Sequence, residues 1–457
     1  MTASASFRRA TTKIQLHNVF QTYVVDNTVI GRDGQLAKAI EGEWDAVASL
    51  LSRKMRDGTY EFTSYREILI SKGAQSRPRV VSVATARDRI ALKALAGVIV
   101  EVFPEAKTPL AQVKVGELAF ELKRTKFDSF VRIDVQNFYP SISHRAIQSR
   151  LERKLRQPRL RNLITRAIST PTVSVKSPRP NFSSIIGVPQ GLPISNLLAE
   201  IAMADIDLAL RGNIHATYFR YVDDILLLCN GVDAKSLFED VKARCASIGL
   251  TVHDLKDGSK SEIGRLTDSF DYLGYKFSPR GVTVRRSSIH KLETTVIRLF
   301  TSYKYESARM SSPGWADKTA ESLLRRLDLV IAGCVFENVP RGWIHYFSQM
   351  DDMTLLCRLD SYVSRLVVRF GLPAIFKPKS FVRAYWHVTK PNTSTRRYIP
   401  NFDRFTRADE ESLLLALYPS MQTGVLDRLS TEELHRKFGS EVRKLVQMLD
   451  RDTSQTS

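Results

Sequence analysis

Two apolar runs separated by a pair of acidic residues constrain this chain more than any other feature. The segment TYFRYVDDILLLC, residues 217–229, places Asp223 and Asp224 between runs rich in aromatic and branched side chains. Such runs favour β-strands, and a short polar interruption between them is typical of a tight hairpin. The sequence therefore predicts a two-stranded antiparallel hairpin with both carboxylates at its tip.

A second predicted strand carries a third carboxylate. In SFVRIDV, residues 129–135, apolar Val131, Ile133 and Val135 alternate with more polar residues, and Asp134 lies near the end. Neighbouring strand ends hold carboxylates rigidly, and hard divalent ions take oxygen ligands. Phosphoryl transfer to nucleotides uses two such ions, roughly 3.5–4 Å apart. An Asp-Asp pair in a turn is by itself more often a solvated loop, so this pattern alone leaves both interpretations open.

The charge balance indicates the kind of partner. The chain has 68 Lys and Arg residues against 48 Asp and Glu residues, a formal net charge of +20. Such a charge makes a polyanion the expected partner, and the spread of basic residues along the whole chain favours nucleic acid over an acidic membrane surface. No apolar stretch is long enough to cross a bilayer. The four cysteines form no CxxC pair, and we expect a cytoplasmic protein in which they are reduced core residues.

The remaining text predicts short elements of both kinds. Towards the N-terminus we predict a mainly helical segment at 1–60, two strands within 60–83 separated by the basic loop SKGAQSRPR, and a helix within 84–104. Further along the chain we predict a helix capped by Ser195, helices over 287–370 and a linker or irregular arm over 373–400. The last helix is predicted to begin at a capping box of Ser430 and Glu433 and to end near Asp450.

Taken together, the chain resembles the reverse transcriptases over roughly residues 65–370. The motifs that carry the resemblance are SKGAQSRPRVVSVATARDRI, FVRIDVQNFYPSI, GVPQGLPISNLLAE, YVDD, GLTVHDLK and FDYLGYKF, in the family's order. The resemblance implies an α+β right-hand polymerase with fingers, an antiparallel palm sheet, a helical thumb and a short, mainly helical C-terminal extension. The predicted boundaries are 1–60 for an N-terminal helical extension, 61–286 for fingers and palm, 287–372 for the thumb and 373–457 for the C-terminal extension.

The resemblance also implies a catalytic site. Asp134, Asp223 and Asp224 would bind two Mg²⁺ ions, with Mn²⁺ as a substitute, and the carbonyl of Val135 would add one oxygen. Tyr139 would be the steric gate whose ring fills the space that a ribose 2′-hydroxyl needs, although it could also be a core aromatic. Deoxynucleotides would then be the substrates.

Further residues would bind the incoming nucleotide. Gln190 and Gly191 lie in a PQG turn that would contact its sugar and base, although the segment could be only a turn. Arg79 would meet the triphosphate with Lys72 nearby, and Arg77 is the alternative if the register shifts by two residues. Lys256 would be the general acid for the leaving pyrophosphate, against the alternative of a surface lysine.

The thumb text RGWIHYFSQMDDMTLLCRLDSYVSRLVVRF resembles group II intron reverse transcriptases, but neither a nuclease cluster nor the retron-specific elements are present. We therefore expect a defence-associated reverse transcriptase that copies a structured non-coding RNA into DNA against phage. The alternatives are a group II intron-encoded maturase without endonuclease and a non-catalytic RNA-binding scaffold. Homo-oligomerisation and the primer stay open; for protein priming the candidates are Tyr398, Tyr418 and a serine of the tail SQTS.

Overall fold

The computed structural model describes residues 2–71, 77–178, 180, 182–309, 313–390, 398–421 and 423–453. The chain packs as two compact units, Met1–Leu110 with Lys126–Leu266, and Ala111–Thr125 with Thr267–Ser457. The four predicted domains stay a prediction, since this division follows packing alone.

Helices make up most of the described chain. They are α1 (Ala3–Ala10), α2 (Lys13–Val19), α3 (Trp44–Asp57), α4 (Ala86–Val102), α5 (Ala111–Leu122), α6 (Phe138–Ser141), α7 (His144–Lys154), α8 (Pro158–Ser169), α9 (Ser195–Arg211), α10 (Gly231–Ser247), α11 (Arg286–Ala308), α12 (Trp315–Ala332), α13 (Trp343–Tyr346), α14 (Met353–Arg369), α15 (Phe381–Thr389), α16 (Arg407–Leu417), α17 (Thr423–Leu426) and α18 (Thr431–Thr453). A π-helical turn (Phe20–Val24) and three 3₁₀ segments (Ala37–Glu43, Pro104–Ala106, Phe402–Arg404) complete them.

The strands are shorter and belong to four sheets. They are β1 (Tyr65–Ile70), β2 (Arg79–Val83), β3 (Ser129–Gln136), β4 (Thr172–Val173), β5 (Ala216–Tyr221), β6 (Asp224–Cys229), β7 (Thr251–Val252), β8 (Glu262–Arg265), β9 (Phe270–Tyr272), β10 (Tyr275–Ser278), β11 (Gly281–Val284), β12 (Cys334–Phe336) and β13 (Val339–Arg341).

An antiparallel five-stranded sheet is the centre of the first unit. Its order is β5-β6-β3-β7, and β8 also pairs with β3. Ile133 and Ile225, opposite each other on β3 and β6, are fully buried, and α9 and α10 pack against this sheet. Alternating side chains of these strands thus bury one face and leave Asp134 on the other. The predicted α+β class with an antiparallel palm sheet is confirmed.

The N-terminal segment is mainly helical, as predicted. Its helices pack against α4. Glu101 of α4 accepts hydrogen bonds from Ser6 and Arg9 of α1. Beside them, β1 and β2 form an antiparallel hairpin in which Ile70 pairs with Arg79. Residues 72–76, which include the predicted triphosphate ligand Lys72, lie outside the described residues.

The second unit is largely helical, as predicted, but its first part contains an unpredicted hairpin. Strands β12 and β13 interrupt the run over 287–370 that was predicted to be helical. Glu337 and Asn338 occupy the turn with φ of 52° and 58°, and their N–H groups donate to Asp403 at 2.8 Å each. A turn with two consecutive positive φ angles suits the twist of a hairpin, so the prediction of an uninterrupted helical region was wrong here.

Several local predictions can now be compared with the structure. The Ser430–Glu433 capping box forms, with reciprocal bonds of 2.8 and 3.2 Å. The N-cap of α9 is Ile194 rather than Ser195, because the Ser195 hydroxyl donates to the Pro189 carbonyl instead. The segment 373–400, predicted as a linker or irregular arm, contains the helix α15, which Ser380 caps. The prediction of irregular structure was therefore wrong over Phe381–Thr389.

Further predictions from the sequence concern the cysteines, membrane-spanning helices and the residues considered for priming. Cys229, Cys245 and Cys334 are buried as expected, whereas Cys357 is exposed. Among the helices that the structure describes, none is long and apolar enough to span a membrane. The hydroxyl groups of both tyrosines considered for priming are hydrogen-bonded, Tyr398 to Ser380 and Tyr418 to Glu441. The serines of the tail, residues 454 and 457, lie beyond the described residues.

Candidate active site

The hairpin predicted around YVDD is formed by β5 and β6. Tyr221 pairs with Asp224, so Val222 and Asp223 form the two-residue turn. Val222 has a φ of 57°, which is costly for a β-branched residue. Only Asp223 therefore lies at the tip, whereas Asp224 begins the second strand.

Asp134 and Asp224 lie directly opposite each other. The antiparallel ladder between β3 and β6 ends at this pair, and opposed residues of such a ladder place their side chains on the same face with Cβ atoms roughly 4.5–5.5 Å apart. The Asp134 side chain is 14% exposed, so it faces a partly closed space. Val135, whose carbonyl is a predicted metal ligand, is the next residue of β3 after this ladder ends. The structure thus brings together two of the three predicted carboxylates by backbone pairing and places the third in the adjoining turn.

A histidine and a lysine side chain contact Asp134. Its Oδ2 atom lies 3.3 Å from His253 Nε2 and 3.5 Å from Lys260 Nζ. The loop that carries them is tied to β3, since His253 N–H donates to the Asp134 carbonyl at 3.0 Å and Ser261 accepts from the Asp134 N–H at 3.2 Å. The Lys260 ammonium therefore lies where the sequence predicts a metal ion.

Lys256, the predicted general acid, lies elsewhere in the same loop. Its side chain is 77% exposed, and Nζ lies 3.8 Å from Asp254. The role of Lys256 stays a prediction, whereas Lys260 is the lysine of this loop that lies beside Asp134, a predicted metal ligand. The sequence prediction did not include Lys260 and His253. The available signal was that Lys260 lies two residues before β8, the strand that pairs with β3 up to Arg132.

The donor atoms at this site suit a hard divalent ion. Two opposed carboxylates and a backbone carbonyl are all oxygen ligands, the type that Mg²⁺ and Mn²⁺ accept. Within the described ranges, no three or more His, Cys, Asp or Glu side chains converge as a ready-made metal site. Asp134, Asp223, Asp224 and Val135 are therefore the residues that would hold the ions.

Tyr139 lies on α6, and its carbonyl accepts from the Val188 N–H at 2.8 Å, next to the PQG turn. Its hydroxyl donates to Asn196 Oδ1 at 3.1 Å, and Asn196 in turn donates to Thr108 at 2.7 Å. Burial raises the pKa of the Tyr139 hydroxyl, and the charges of Asp223 and Glu200 raise it further, while the charge of Arg79 opposes them. The charges of Asp223 and Arg79 thus both act on Tyr139.

The PQG turn is pressed against β2 and α6. The Gln190 carbonyl accepts from Ser82 N–H at 2.7 Å, and a Cβ atom at Gly191, where φ is 100°, would lie 2.8 Å from Val81 Cγ1. Gly187 likewise has a positive φ, and a Cβ atom there would lie 2.5 Å from the Pro140 carbonyl oxygen. Both glycines therefore permit the close backbone approach that the sequence predicts.

The register of the β1–β2 hairpin distinguishes the two arginines considered for the triphosphate. Arg79 begins β2 and is half-buried, whereas Arg77 is exposed outside the strand. Arg79 is also the arginine whose charge acts on Tyr139. The choice between Arg79 and Arg77 for the triphosphate stays a prediction.

Comparison with known proteins agrees with this geometry. The family of reverse transcriptases (RNA-dependent DNA polymerases) matches residues 70–277. Similar solved structures include apo telomerase from Candida tropicalis truncated from its C-terminal domain, with a TM-score of 0.38, 13% identity, and coverage of 53% of this chain and 60% of that one. They also include telomerase from Candida albicans in complex with a TWJ fragment of telomeric RNA, with a TM-score of 0.38, 12% identity, and coverage of 82% and 66%. This chain thus spans under two thirds of either telomerase, and no curated protein matches it in sequence.

Proposed function

We propose that this chain is an RNA-directed DNA polymerase that extends a primer along RNA with deoxynucleotides and two Mg²⁺ ions, because residues 70–277 match the reverse transcriptase family. The observation that carries this proposal is the direct pairing of Asp134 with Asp224 next to Asp223 in the turn. When bound, such ions activate the attacking 3′-hydroxyl and neutralise charge on the leaving pyrophosphate.

The chain's own residues bind and orient the nucleotide. Arg79 offers a guanidinium fork for the triphosphate, and the Gln190–Gly191 turn presents backbone to the sugar and base. Tyr139, held by Asn196, excludes the ribose 2′-hydroxyl by occupying its space. Lys260, already beside Asp134, supplies positive charge where phosphate oxygens enter.

The natural template is proposed to be a structured non-coding RNA copied in the cytoplasm during antiphage defence. The net charge of +20 supports a long nucleic acid partner. An intron-encoded maturase is the second candidate, favoured by the thumb text from Arg341 to Phe370. Intron RNA domains that flank the gene would favour the maturase, and a bound RNA encoded elsewhere would favour defence.

The decisive experiment uses the protein with its co-purifying RNA, Mg²⁺ and labelled deoxynucleotides. Wild type should incorporate label, whereas Asp223→Ala with Asp224→Ala should not. Asp240→Ala is the matched control, because this carboxylate on α10 pairs with Arg244 one turn away, and such surface pairs contribute little. Equal incorporation by wild type and the double variant, or none by wild type on any primed template, refutes the polymerase proposal.

The same variants test the biological setting. Cells that express wild type should resist phage, and cells that express the Asp223→Ala, Asp224→Ala variant should not. Sequencing of the bound RNA and its DNA product identifies the template. If wild type and the double variant give equal phage plating, defence does not depend on the polymerase.

A further inference from the structure

A buried arginine directly before the YVDD turn is not explained by the chemistry described so far. Arg220 lies on β5 opposite Ile225, on the sheet face that α9 covers, and its side chain is 5% exposed. Buried charges persist where they are paired and hydrogen-bonded. Its partners therefore indicate what it holds in place.

All five N–H donors of the guanidinium are used. Nη1 and Nη2 donate to Glu200 at 3.1 and 2.6 Å, and Nε and Nη2 donate to Asp207 at 2.7 and 2.6 Å. The remaining Nη1 donor reaches the carbonyl of Val222 at 2.8 Å. Because Glu200 and Asp207 are two turns apart on α9, they lie on one face of the helix and grip the guanidinium from both sides.

The bond to Val222 is the one that concerns the active site. Val222 is the turn residue with a φ of 57°, an unfavourable conformation that persists only where the surroundings impose it. It is followed at once by Asp223 and Asp224. Arg220 thus holds the peptide that joins Val222 to Asp223.

The same helix also holds the nucleotide pocket. Asn196, one turn before Glu200, accepts the hydrogen bond of Tyr139, and α9 continues directly from the Gln190–Gly191 turn. We propose that Arg220, through Glu200 and Asp207, is a positioning residue that locks the YVDD turn to α9 and so sets the distance between the metal-binding carboxylates and the nucleotide pocket. This inference rests on the proposed polymerase function.

The test compares Arg220→Lys with wild type in single-nucleotide extension of a primed RNA. Lysine keeps the charge but cannot donate to Glu200, Asp207 and Val222 at once. We expect kcat to fall on the order of 100-fold, as small misplacements of reacting groups do, while the deoxynucleotide KM changes by less than about threefold. The concentration of Mn²⁺ that half-saturates the protein should rise in parallel, which loss of packing alone would not cause.

The control is Asp205→Asn. Asp205 lies on the same helix and also pairs with two arginines, Arg150 and Arg153, but on the surface. Its kcat should stay within about twofold of wild type. If Arg220→Lys fails to fold, a triple variant replaces it: Arg220→Met with Glu200→Gln and Asp207→Asn. Because this variant leaves no unpaired buried charge at the site, it should fold, but it should extend the primer slowly.

Wild-type kcat and Mn²⁺ affinity in a folded Arg220→Lys protein, or in the triple variant, would overturn the inference. If wild type itself neither extends a primer nor binds Mn²⁺, the proposed function fails, and amide hydrogen exchange then decides the positioning claim. Faster amide exchange at residues 222–224 in Arg220→Lys than in wild type, with the rest of β5 and β6 unchanged, supports the positioning claim. Unchanged exchange at these residues overturns it.

Discussion

Tyr139 shows how one side chain is held where three functional elements meet. Its hydroxyl donates to Asn196 of α9, and the charges of Asp223 from the YVDD turn and Arg79 from β2 both act on its pKa. The hydrogen bond to Asn196 restrains the ring where the proposed function places the incoming sugar. Substrate choice should therefore depend on the ring itself and much less on the hydroxyl.

We expect Tyr139→Ala to admit ribonucleotides. Removal of the ring opens space for a 2′-hydroxyl, so the ratio of kcat/KM for a deoxynucleotide to that for the matching ribonucleotide should fall on the order of tenfold or more. Tyr139→Phe keeps the ring and should keep most of the ratio. An unchanged ratio in Tyr139→Ala would show that another residue is the gate.

The two lysines of the loop 253–261, between β7 and β8, provide a second comparison of single residues. Lys260 lies 3.5 Å from Asp134, whereas Lys256 contacts only the exposed Asp254 at 3.8 Å. We expect Lys260→Ala to lower kcat on the order of tenfold or more, because it removes a positive charge at the reacting phosphates. Lys256→Ala should stay within about twofold, as for other exposed pairs. The opposite ranking in primer extension would restore the general-acid role to Lys256.

At the scale of elements, the sequence predicts what is encoded by local pattern. Apolar runs and the acidic pair predict the β5–β6 hairpin, and alternation predicts β3, because one buried face requires period two. Arg220 could not be found in this way, since a lone arginine between aromatic residues has no periodic signal and its partners lie 13 and 20 residues earlier. The β12–β13 hairpin was missed because it is short and flanked by helices, although Asn338 is a residue type that such turns favour.

The PQG turn permits a test of its close approach. Gly191→Ala should raise the deoxynucleotide KM and destabilise the protein by about 1 kcal/mol or more, because φ is 100° and a Cβ atom would meet Val81. Gly97→Ala is the control: Gly97 is inside α4 with nothing within 4 Å of an added Cβ atom, and alanine should stabilise that helix by roughly 0.5–1 kcal/mol. Chemical denaturation and steady-state kinetics measure both effects. Wild-type KM and stability in Gly191→Ala would show that the turn is not tightly packed.

At the scale of the whole molecule, the net charge of +20 and the buried ion pairs of Arg220 respond differently to salt. Contacts with phosphates release counterions, so the affinity for template falls steeply with ionic strength. Buried pairs are screened much less. A rise in salt concentration should therefore weaken template binding much more than it lowers kcat.

We expect the logarithm of template affinity to fall linearly with the logarithm of salt concentration, by about 10³ or more between 50 and 200 mM if six or more phosphates are contacted. With template saturating at each salt concentration, kcat should stay within about twofold. Fluorescence anisotropy with labelled RNA and primer extension measure the two quantities. A kcat that falls as steeply as affinity would show that exposed charges, and not the buried pairs, maintain the active site.

The position of α5 along the chain has a consequence for how the protein is made. Residues Ala111–Thr125 belong to the second unit, although 126–266 belong to the first. Its apolar residues Val115 and Leu118 are buried in the finished protein, and α5 packs against α13, which leaves the ribosome only after the whole first unit. Throughout that interval the nascent chain carries an apolar helix without its final partner, the kind of surface that chaperones exist to shield.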